Sequence, residues 1–223
     1  MSETLLAKKQ KNAANAWGVF LFFVLIVIDL VTKLIADVYF AQPNARQEIT
    51  IIPNVAVLRM AYNRGISFGI GSDLSMAVKL LVLIGTGILM FLFSIAFFRL
   101  DSKRKFLRVA LVLVVAGGIG NLIDRLYYQV WDPASYQGGF RDGVRDMIDL
   151  TFSFIGFSAV CNLADFWITF GAAVLILALL FFDRDAVFPL GKYRAMAKAH
   201  EEETEKAKAE KLAKKDKEAR KNG

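Results

Sequence analysis

Two aspartates, Asp124 and Asp165, lie inside apolar segments of this chain. Asp124 belongs to the stretch Gly117-Gly118-Ile119-Gly120-Asn121-Leu122-Ile123-Asp124-Arg125, and Asp165 ends the stretch Asn162-Leu163-Ala164-Asp165. A carboxylate within a membrane is costly unless it is paired, solvated or protonated, so such residues are functional candidates. Two neighbouring carboxyl groups share one proton, which supplies an acid and a base together. The pair therefore predicts an aspartyl dyad that activates water against an amide carbonyl.

Other interpretations of the two aspartates stay open at this point. Asp124 could pair with Arg125 or with a cation of an outer loop, while Asp165 could cap or hydrogen-bond a neighbouring helix. Carboxylates in membranes also relay protons, so a small proton-coupled transporter is the second functional class. The apolar segments show no internal repeat, and both aspartates fall near one face of the membrane, which counts against a transporter. A catalytically silent binding scaffold is the third class.

The rest of the chain predicts an all-α polytopic membrane protein. Of 223 residues, 56% are hydrophobic and nineteen are Phe, which is too apolar for a soluble domain of this size. Four segments reach the roughly 20 residues that a helix needs to cross the hydrocarbon layer. They lie at about 16–36, 74–98, 107–128 and 157–182. We expect an N-terminal segment (1–15), one four-span domain (16–182) and a tail of mixed and basic charge (183–223).

Lys and Arg are clustered beside the spans, and positive charge is retained on the cytoplasmic side. The clusters precede span one, separate spans two and three, and follow span four. Both termini are therefore predicted to be cytoplasmic, with the two aspartates near the outer face. The net charge of +7 follows from these flanks and the tail, where membrane phospholipid is the expected partner rather than nucleic acid.

Two outer segments connect the spans. The first, about 37–73, is rich in β-branched residues broken by Pro53 and Asn54, so it predicts a short strand pair within a small β-rich cradle. The second, about 129–156, begins with glycines and aromatic residues. It predicts a mobile outer loop that covers a lateral site, or an aromatic anchor at the membrane surface with no gating role.

Several polar residues are candidates for supporting roles. Asn121, Asp124 and Arg125 are spaced i, i+3, i+4 and share one helix face. Asp29 and Lys33 form an i, i+4 pair in span one, which predicts either support of the dyad or an internal ion pair with Lys33 reaching to the interface.

The remaining candidates are weaker. Asn63 and Gly65 could contact an extended substrate or simply form a turn. The single Cys161 lies in apolar surroundings, which keep a thiol inert, and the single His200 is in the tail. No metal and no cofactor are predicted.

The motifs resemble those of the lipoprotein signal peptidases, also called signal peptidase II. Five blocks match in order over spans one to four: Asp29-x-x-Thr32-Lys33, Asn63-x-Gly65-x-x-Phe68, Gly117-Gly118-x-Gly120-Asn121-x-x-Asp124-Arg125, Val144-x-Asp146 and Asn162-x-Ala164-Asp165. The resemblance implies an aspartic endopeptidase that cuts diacylglyceryl-modified prolipoproteins before the lipidated cysteine. It also implies inhibition by globomycin-type cyclic peptides.

The same resemblance implies roles for individual residues. Asp124 and Asp165 are the expected catalytic dyad, and Asn121, Arg125 and Asn162 are expected to support it. Neighbouring polar or substrate-contacting roles are implied for Asp29, Lys33, Asn63, Gly65 and Asp146. The chain departs from the usual pattern at Ser67, at Cys161, in an outer insertion around 131–143, and in the tail after Lys192.

Overall fold

The computed structural model describes residues 3–63, 75–131, 143–152 and 156–221. Five α-helices and four strands follow one another along these residues, with one π-helical turn after the third helix. Their bounds are α1 Glu3–Phe40, β1 Ile49–Ile52, β2 Ala56–Asn63, α2 Met76–Arg99, α3 Lys105–Arg125, the π-helical turn Leu126–Trp131, β3 Val144–Phe152, β4 Phe157–Cys161, α4 Leu163–Leu180 and α5 Lys192–Lys221.

Four helices are long and apolar enough to cross a membrane, which confirms the predicted fold class. They cover Leu5–Phe40, Ala77–Arg99, Lys105–Tyr128 and Leu163–Leu180. The third is 72% buried along its most apolar stretch, whereas the others are 17–22% buried. Helix α3 is therefore the centre of the bundle, and α1, α2 and α4 turn most of their apolar surface outward, as expected of helices facing lipid.

The fourth span begins later than predicted. Phe157–Cys161 is the strand β4, which pairs antiparallel with β3, because its backbone groups find partners in the sheet rather than in a helix. Asn162 then adopts an extended conformation and caps α4. Asp165 consequently lies in the first turn of α4 and not two turns inside a longer span.

The four strands form one antiparallel sheet in the order β1-β2-β3-β4. The β1–β2 pair confirms the predicted strand pair, with Asn54 at a φ of 60° in the connecting turn. Strand β3 was not predicted, since it lies within the segment interpreted as an outer loop. It pairs with both β2 and β4, through partners such as Asn63 with Val144 and Ile148 with Cys161. Gly65, Ser67 and most of the insertion lie outside the described residues.

Glycines on α3 allow close packing against its neighbours. A Cβ added at Gly117 would collide with the Ala164 carbonyl oxygen and with Ile168 of α4. A Cβ at Gly120 would lie 2.5 Å from Oδ2 of Asp29 on α1. The backbone of α3 therefore lies directly against α4 and against a buried carboxylate.

The tail and the α2–α3 connection meet at the other end of the bundle. Arg104 donates to the buried Asp183 from Nε at 2.9 Å and from Nη2 at 2.5 Å. This pair joins the start of α3 to the segment after α4. The tail forms the helix α5.

Candidate active site

The polar residues of the matching motifs meet where the sheet joins the helix bundle. Strand β3 approaches the end of α3 and the start of α4, and α1 passes beside both. Six residues at this location are almost fully buried from solvent. Asp29, Lys33, Asp124 and Asn162 are 0% exposed, Asp146 is 2% exposed and Asn121 is 6% exposed. Such burial requires every polar group to have a partner, and the partners divide these residues into two clusters.

The first cluster contains Asp29, Lys33, Asp124 and Arg145 and is called the ion cluster below. Arg145 of β3 holds Asp124 in a fork, with Nη2 2.7 Å from Oδ1 and Nε 3.3 Å from Oδ2. The Arg145 backbone N–H also donates to Oδ2, at 3.0 Å, and Lys33 Nζ lies 3.5 Å from the same oxygen. Asp124 thus has the environment of a buried carboxylate whose negative charge is fully matched.

Lys33 ties this cluster to α1. Its Nζ lies 2.8 Å from Oδ2 of Asp29 and donates to Oδ1 of Asn121 at 3.0 Å. The pair is therefore internal, and Lys33 does not extend to the interface. Asp29 Oδ1 accepts the backbone N–H of Ala164 at 2.9 Å, which attaches α1 to the first turn of α4.

The second cluster contains Asn121, Asp146, Asn162 and Asp165 and is called the amide cluster. Asp165 and Asn162 form a capping box at the start of α4: the Asn162 N–H donates to Asp165 Oδ2 at 3.0 Å, and the Asp165 N–H donates to Asn162 Oδ1 at 3.1 Å. Asn121 Nδ2 donates to the other oxygen of Asp165, Oδ1, at 2.8 Å. Amide groups therefore fix both oxygens of Asp165.

Asp146 faces the same asparagine. Asn162 Nδ2 donates to Asp146 Oδ1 at 2.6 Å and to Asn121 Oδ1 at 3.1 Å, and the Asn63 side chain also hydrogen-bonds Asp146. Burial, followed by the negative charge of Asp165, raises the pKa of Asp146 from 3.8 to about 7. Asp146 and Asp165 are thus coupled carboxyl groups on either side of Asn162.

Two arginines border these clusters. Arg125 is half-buried, and its charge acts on Asp124, Asp146 and Asp165. Arg145 was not predicted as a site residue, because the segment at about 129–156 was interpreted as an outer loop. Its position inside the Val144-x-Asp146 block was the available signal. Its guanidinium also lies over the Tyr128 ring, 5.1 Å from the centroid.

Cys161 adjoins the site without joining it. Its Sγ donates to the Ile148 carbonyl at 3.4 Å. Burial, and next the charge of Asp165, raises the pKa of this thiol to about 12, in agreement with the predicted inert role. Within the described part of the chain, no group of three or more His, Cys, Asp or Glu side chains is arranged to hold a metal ion.

Comparison with known proteins identifies the family. The model of the family described as signal peptidase (SPase) II matches residues 21–181. The chain belongs to the signal peptidase II family. Signal peptidase II is a protease, and the four apolar helices make this member a multi-pass protein of the bacterial inner membrane.

Curated relatives and solved structures agree with this family. A "Lipoprotein signal peptidase" of Fusobacterium nucleatum is 33% identical over 74% of this chain and 87% of its own length. One from Sulfurihydrogenibium is 31% identical over 69% of this chain and 85% of its own length. A bacterial membrane enzyme solved by the in meso method at 2.3 Å is 27% identical, with a TM-score of 0.55 over 74% of this chain and 88% of that one.

Proposed function

We propose that this protein removes signal peptides from prolipoproteins that carry diacylglycerol on the lipobox cysteine, cutting before that cysteine. The family and the names of the relatives support the substrate class. The position of the polar clusters at one end of the spanning helices supports it further. A lipid-anchored substrate can reach carboxyl groups at that level by lateral diffusion while its acyl chains remain in the bilayer.

We propose Asp146 and Asp165 as the catalytic dyad. The observation that carries this assignment is that Asp146 shares Asn162 with Asp165 and has a pKa raised to about 7 by burial and by the Asp165 charge. The resemblance had implied Asp124 as the second member. The contacts of Asp124 with Arg145 and Lys33 favour the alternative of a structural ion pair, because a carboxylate matched by two cations is a poor proton carrier.

In the proposed reaction, protonated Asp146 donates a hydrogen bond to the scissile carbonyl oxygen and transfers its proton to that oxygen as the tetrahedral intermediate forms. The Asp165 carboxylate takes a proton from water, and the resulting hydroxide attacks the carbonyl carbon to give a tetrahedral intermediate. The proton on Asp165 passes to the cysteine nitrogen as the carbon–nitrogen bond breaks. Asp146 recovers its proton when the carbonyl re-forms, so the dyad ends with the single proton it held at the start.

The other residues hold these two carboxyl groups in place. Asn121 and Asn162 orient Asp165 and Asp146, and the charge of Arg125 favours the ionised member. Asp29 and Lys33 fix α1 against the start of α4 and so support the site indirectly. The Asn63 bond to Asp146 makes Asn63 a positioning residue, while a substrate contact by Gly65 and binding of globomycin-type inhibitors stay predictions.

The proposed orientation places both termini in the cytoplasm. The basic clusters lie at the end of the bundle that contains the start of α1, the α2–α3 connection and the segment after α4, opposite the sheet. The sheet and the dyad then face outward.

A cleavage assay tests the dyad assignment. Purified protein in detergent is given a diacylglyceryl-modified prolipoprotein, and the mobility shift of the product is followed for wild type, Asp146→Asn, Asp165→Asn and Asp124→Asn. We expect the first two variants to lose activity by about a thousandfold or more, since each lacks one half of the acid–base pair. The Asp124→Asn variant, where it is folded, should still cleave the prolipoprotein. The matched control is Asp149→Asn, three residues along the same strand and paired with Arg59 instead.

Two results would overturn the assignment. One is normal turnover by Asp146→Asn. The other is an Asp124→Asn variant that unfolds at the wild-type temperature yet cleaves nothing, which would return Asp124 to the dyad. If wild type cleaves no prolipoprotein that a known family member cuts, the proposed function itself fails, and a silent scaffold becomes the better description.

A further inference from the structure

A second candidate site lies at the end of the bundle opposite the sheet. Two adjoining cavities between α1, α2 and α3 share Phe97 and Val112. The one deeper in the membrane region has a volume of about 180 Å³, and apart from Ser94 its walls are apolar, with Val19 and Phe22 on the α1 side. The other has a volume of about 350 Å³ and reaches the bundle end. The two together are called the bundle-end groove.

Cationic side chains line only the outer part of this groove. Lys105 and Arg108 border the larger cavity together with Trp17 and Ser102. Lys105 is exposed, and Arg108 is 5% exposed. In the described ranges, no ion pair within 4 Å includes either residue.

Arg108 is buried against neutral oxygens. Its Nη1 donates to the carbonyls of Phe97 and Leu100, both at 3.1 Å, and its Nη2 donates to Asn15 Oδ1 at 2.7 Å. Asp101 acts on Arg108 only from a distance and lies 3.7 Å from Arg184. A guanidinium has five N–H donors, so donors remain after these three bonds, and its positive charge has no direct carboxylate partner among the described residues.

We propose that the bundle-end groove binds one anionic phospholipid, with an acyl chain in the apolar cavity and the headgroup phosphate at Lys105 and Arg108. The shape and the charge of the groove both fit this ligand. The apolar cavity between the membrane-spanning helices matches an acyl chain, and the two cations at its outer end match the phosphate of the headgroup. Cations at the membrane surface attract anionic lipid and bond phosphate strongly. Trp17 lines the same cavity, and tryptophan favours the headgroup region of a membrane.

The bound lipid would join three helices. Val19 belongs to α1, Phe97 to α2, and Lys105 and Arg108 to α3, so one molecule contacts all of them. A ligand that binds only the folded protein raises its stability. The inference concerns the end of the molecule away from the dyad and does not rest on the proposed reaction.

Native mass spectrometry of the full chain released from detergent tests this proposal. The protein is titrated with phosphatidylglycerol or with phosphatidylcholine of the same acyl chains, and with glycerol 3-phosphate as the headgroup alone. We expect one phosphatidylglycerol to be retained in preference to phosphatidylcholine, with no retention of glycerol 3-phosphate. Lys105→Gln should weaken phosphatidylglycerol binding about fivefold, whereas Lys103→Gln, an exposed cation two residues away that does not line the groove, should not.

A second pair of variants tests the acyl slot. Val19→Trp fills the apolar cavity and should abolish the retained lipid, while Val27→Trp is the control, because Val27 lies two turns along α1 and is 56% exposed. Equal retention of both phospholipids would overturn the proposal, as would equal weakening by Lys103→Gln and Lys105→Gln. Unchanged lipid binding by a folded Val19→Trp variant would overturn it as well. Retention of glycerol 3-phosphate alone would identify a free phosphate site in place of a lipid site.

Discussion

Asp124 and Asp146 are both buried aspartates, yet their partners differ completely. Asp124 lies between two cations, Arg145 and Lys33, and also accepts a backbone N–H. Asp146 accepts hydrogen bonds from amide side chains and lies within reach of a second carboxylate charge. Burial alone therefore does not distinguish the proposed catalytic carboxyl group from a structural one. Two matching cations make Asp124 part of the framework, whereas burial and the negative charge of Asp165 raise the pKa of Asp146.

The largest effect is expected from Asp124→Asn, which tests whether Asp124 has a structural role. The substitution leaves Arg145 and Lys33 buried without their shared carboxylate. Removing one partner of a buried ion pair lowers the free energy of unfolding by about 3–5 kcal/mol. We expect a large drop in midpoint when the purified variant is unfolded by heat or by SDS in mixed micelles.

A paired substitution provides the control for Asp124→Asn. Adding Arg145→Met removes the unmatched cation, so the double variant should recover part of the lost stability. Wild-type stability of Asp124→Asn would contradict the structural role of the ion cluster.

The sequence was sufficient for the elements that depend on local pattern. Long apolar runs predicted the four spans, and β-branched residues around Pro53 predicted the β1–β2 pair. Strand β4 was assigned to a span because Phe157–Cys161 is as apolar as the helix that follows it. Its pairing with β3 depends on contacts that no local pattern reveals.

The residues of the candidate site could be predicted from the sequence, but the hydrogen bonds and ion pairs between them could not. The motifs named nearly every member of both clusters. The partner of each carboxylate depends on the path of β3. This strand brings Arg145 to Asp124 and Asp146 to Asn162. Residues adjacent in sequence thus serve the two clusters separately, because successive side chains of a strand point to opposite faces.

Gly120→Ala should perturb the ion cluster by adding a methyl group to α3 next to Asp29. The added methyl group would lie 2.5 Å from Asp29 Oδ2 and must displace that carboxylate, which also holds Lys33 and the start of α4. Overpacking of this kind costs about 1–3 kcal/mol. The control is Gly87→Ala on α2, where the nearest atom is 3.9 Å away and alanine favours the helix. Equal midpoints for the two variants in SDS unfolding would contradict a tightly packed ion cluster.

Asp146 of the amide cluster predicts a pH dependence of cleavage. Asp146 has a pKa of about 7 in the folded protein against an ordinary 3.8, so it is protonated below about pH 7. Cleavage that needs this proton should fall about tenfold for each pH unit above about 7. The stability contribution of Asp146 decreases between about pH 4 and 7, where only the unfolded chain loses the proton, and is constant above that range.

The two pH windows separate catalysis from unfolding. Initial cleavage rates and unfolding midpoints are measured on the same samples from about pH 5 to about pH 9. Rates that fall above neutral pH while the midpoint stays level would support Asp146 as the proton donor. A rate that is unchanged or higher at about pH 9 would remove Asp146 from that role.

The smallest effect is expected from the ion pair between Arg59 and Asp149 on the sheet. Its Nε–Oδ2 distance of 2.6 Å is as short as any contact of Asp124, but the Arg59 side chain is 45% exposed and that of Asp149 16%. Water can replace either partner, so Arg59→Gln should change the free energy of unfolding by less than about 1 kcal/mol. A loss as large as that of Asp124→Asn would mean that short distance, rather than burial between matched charges, determines what an ion pair contributes in this protein.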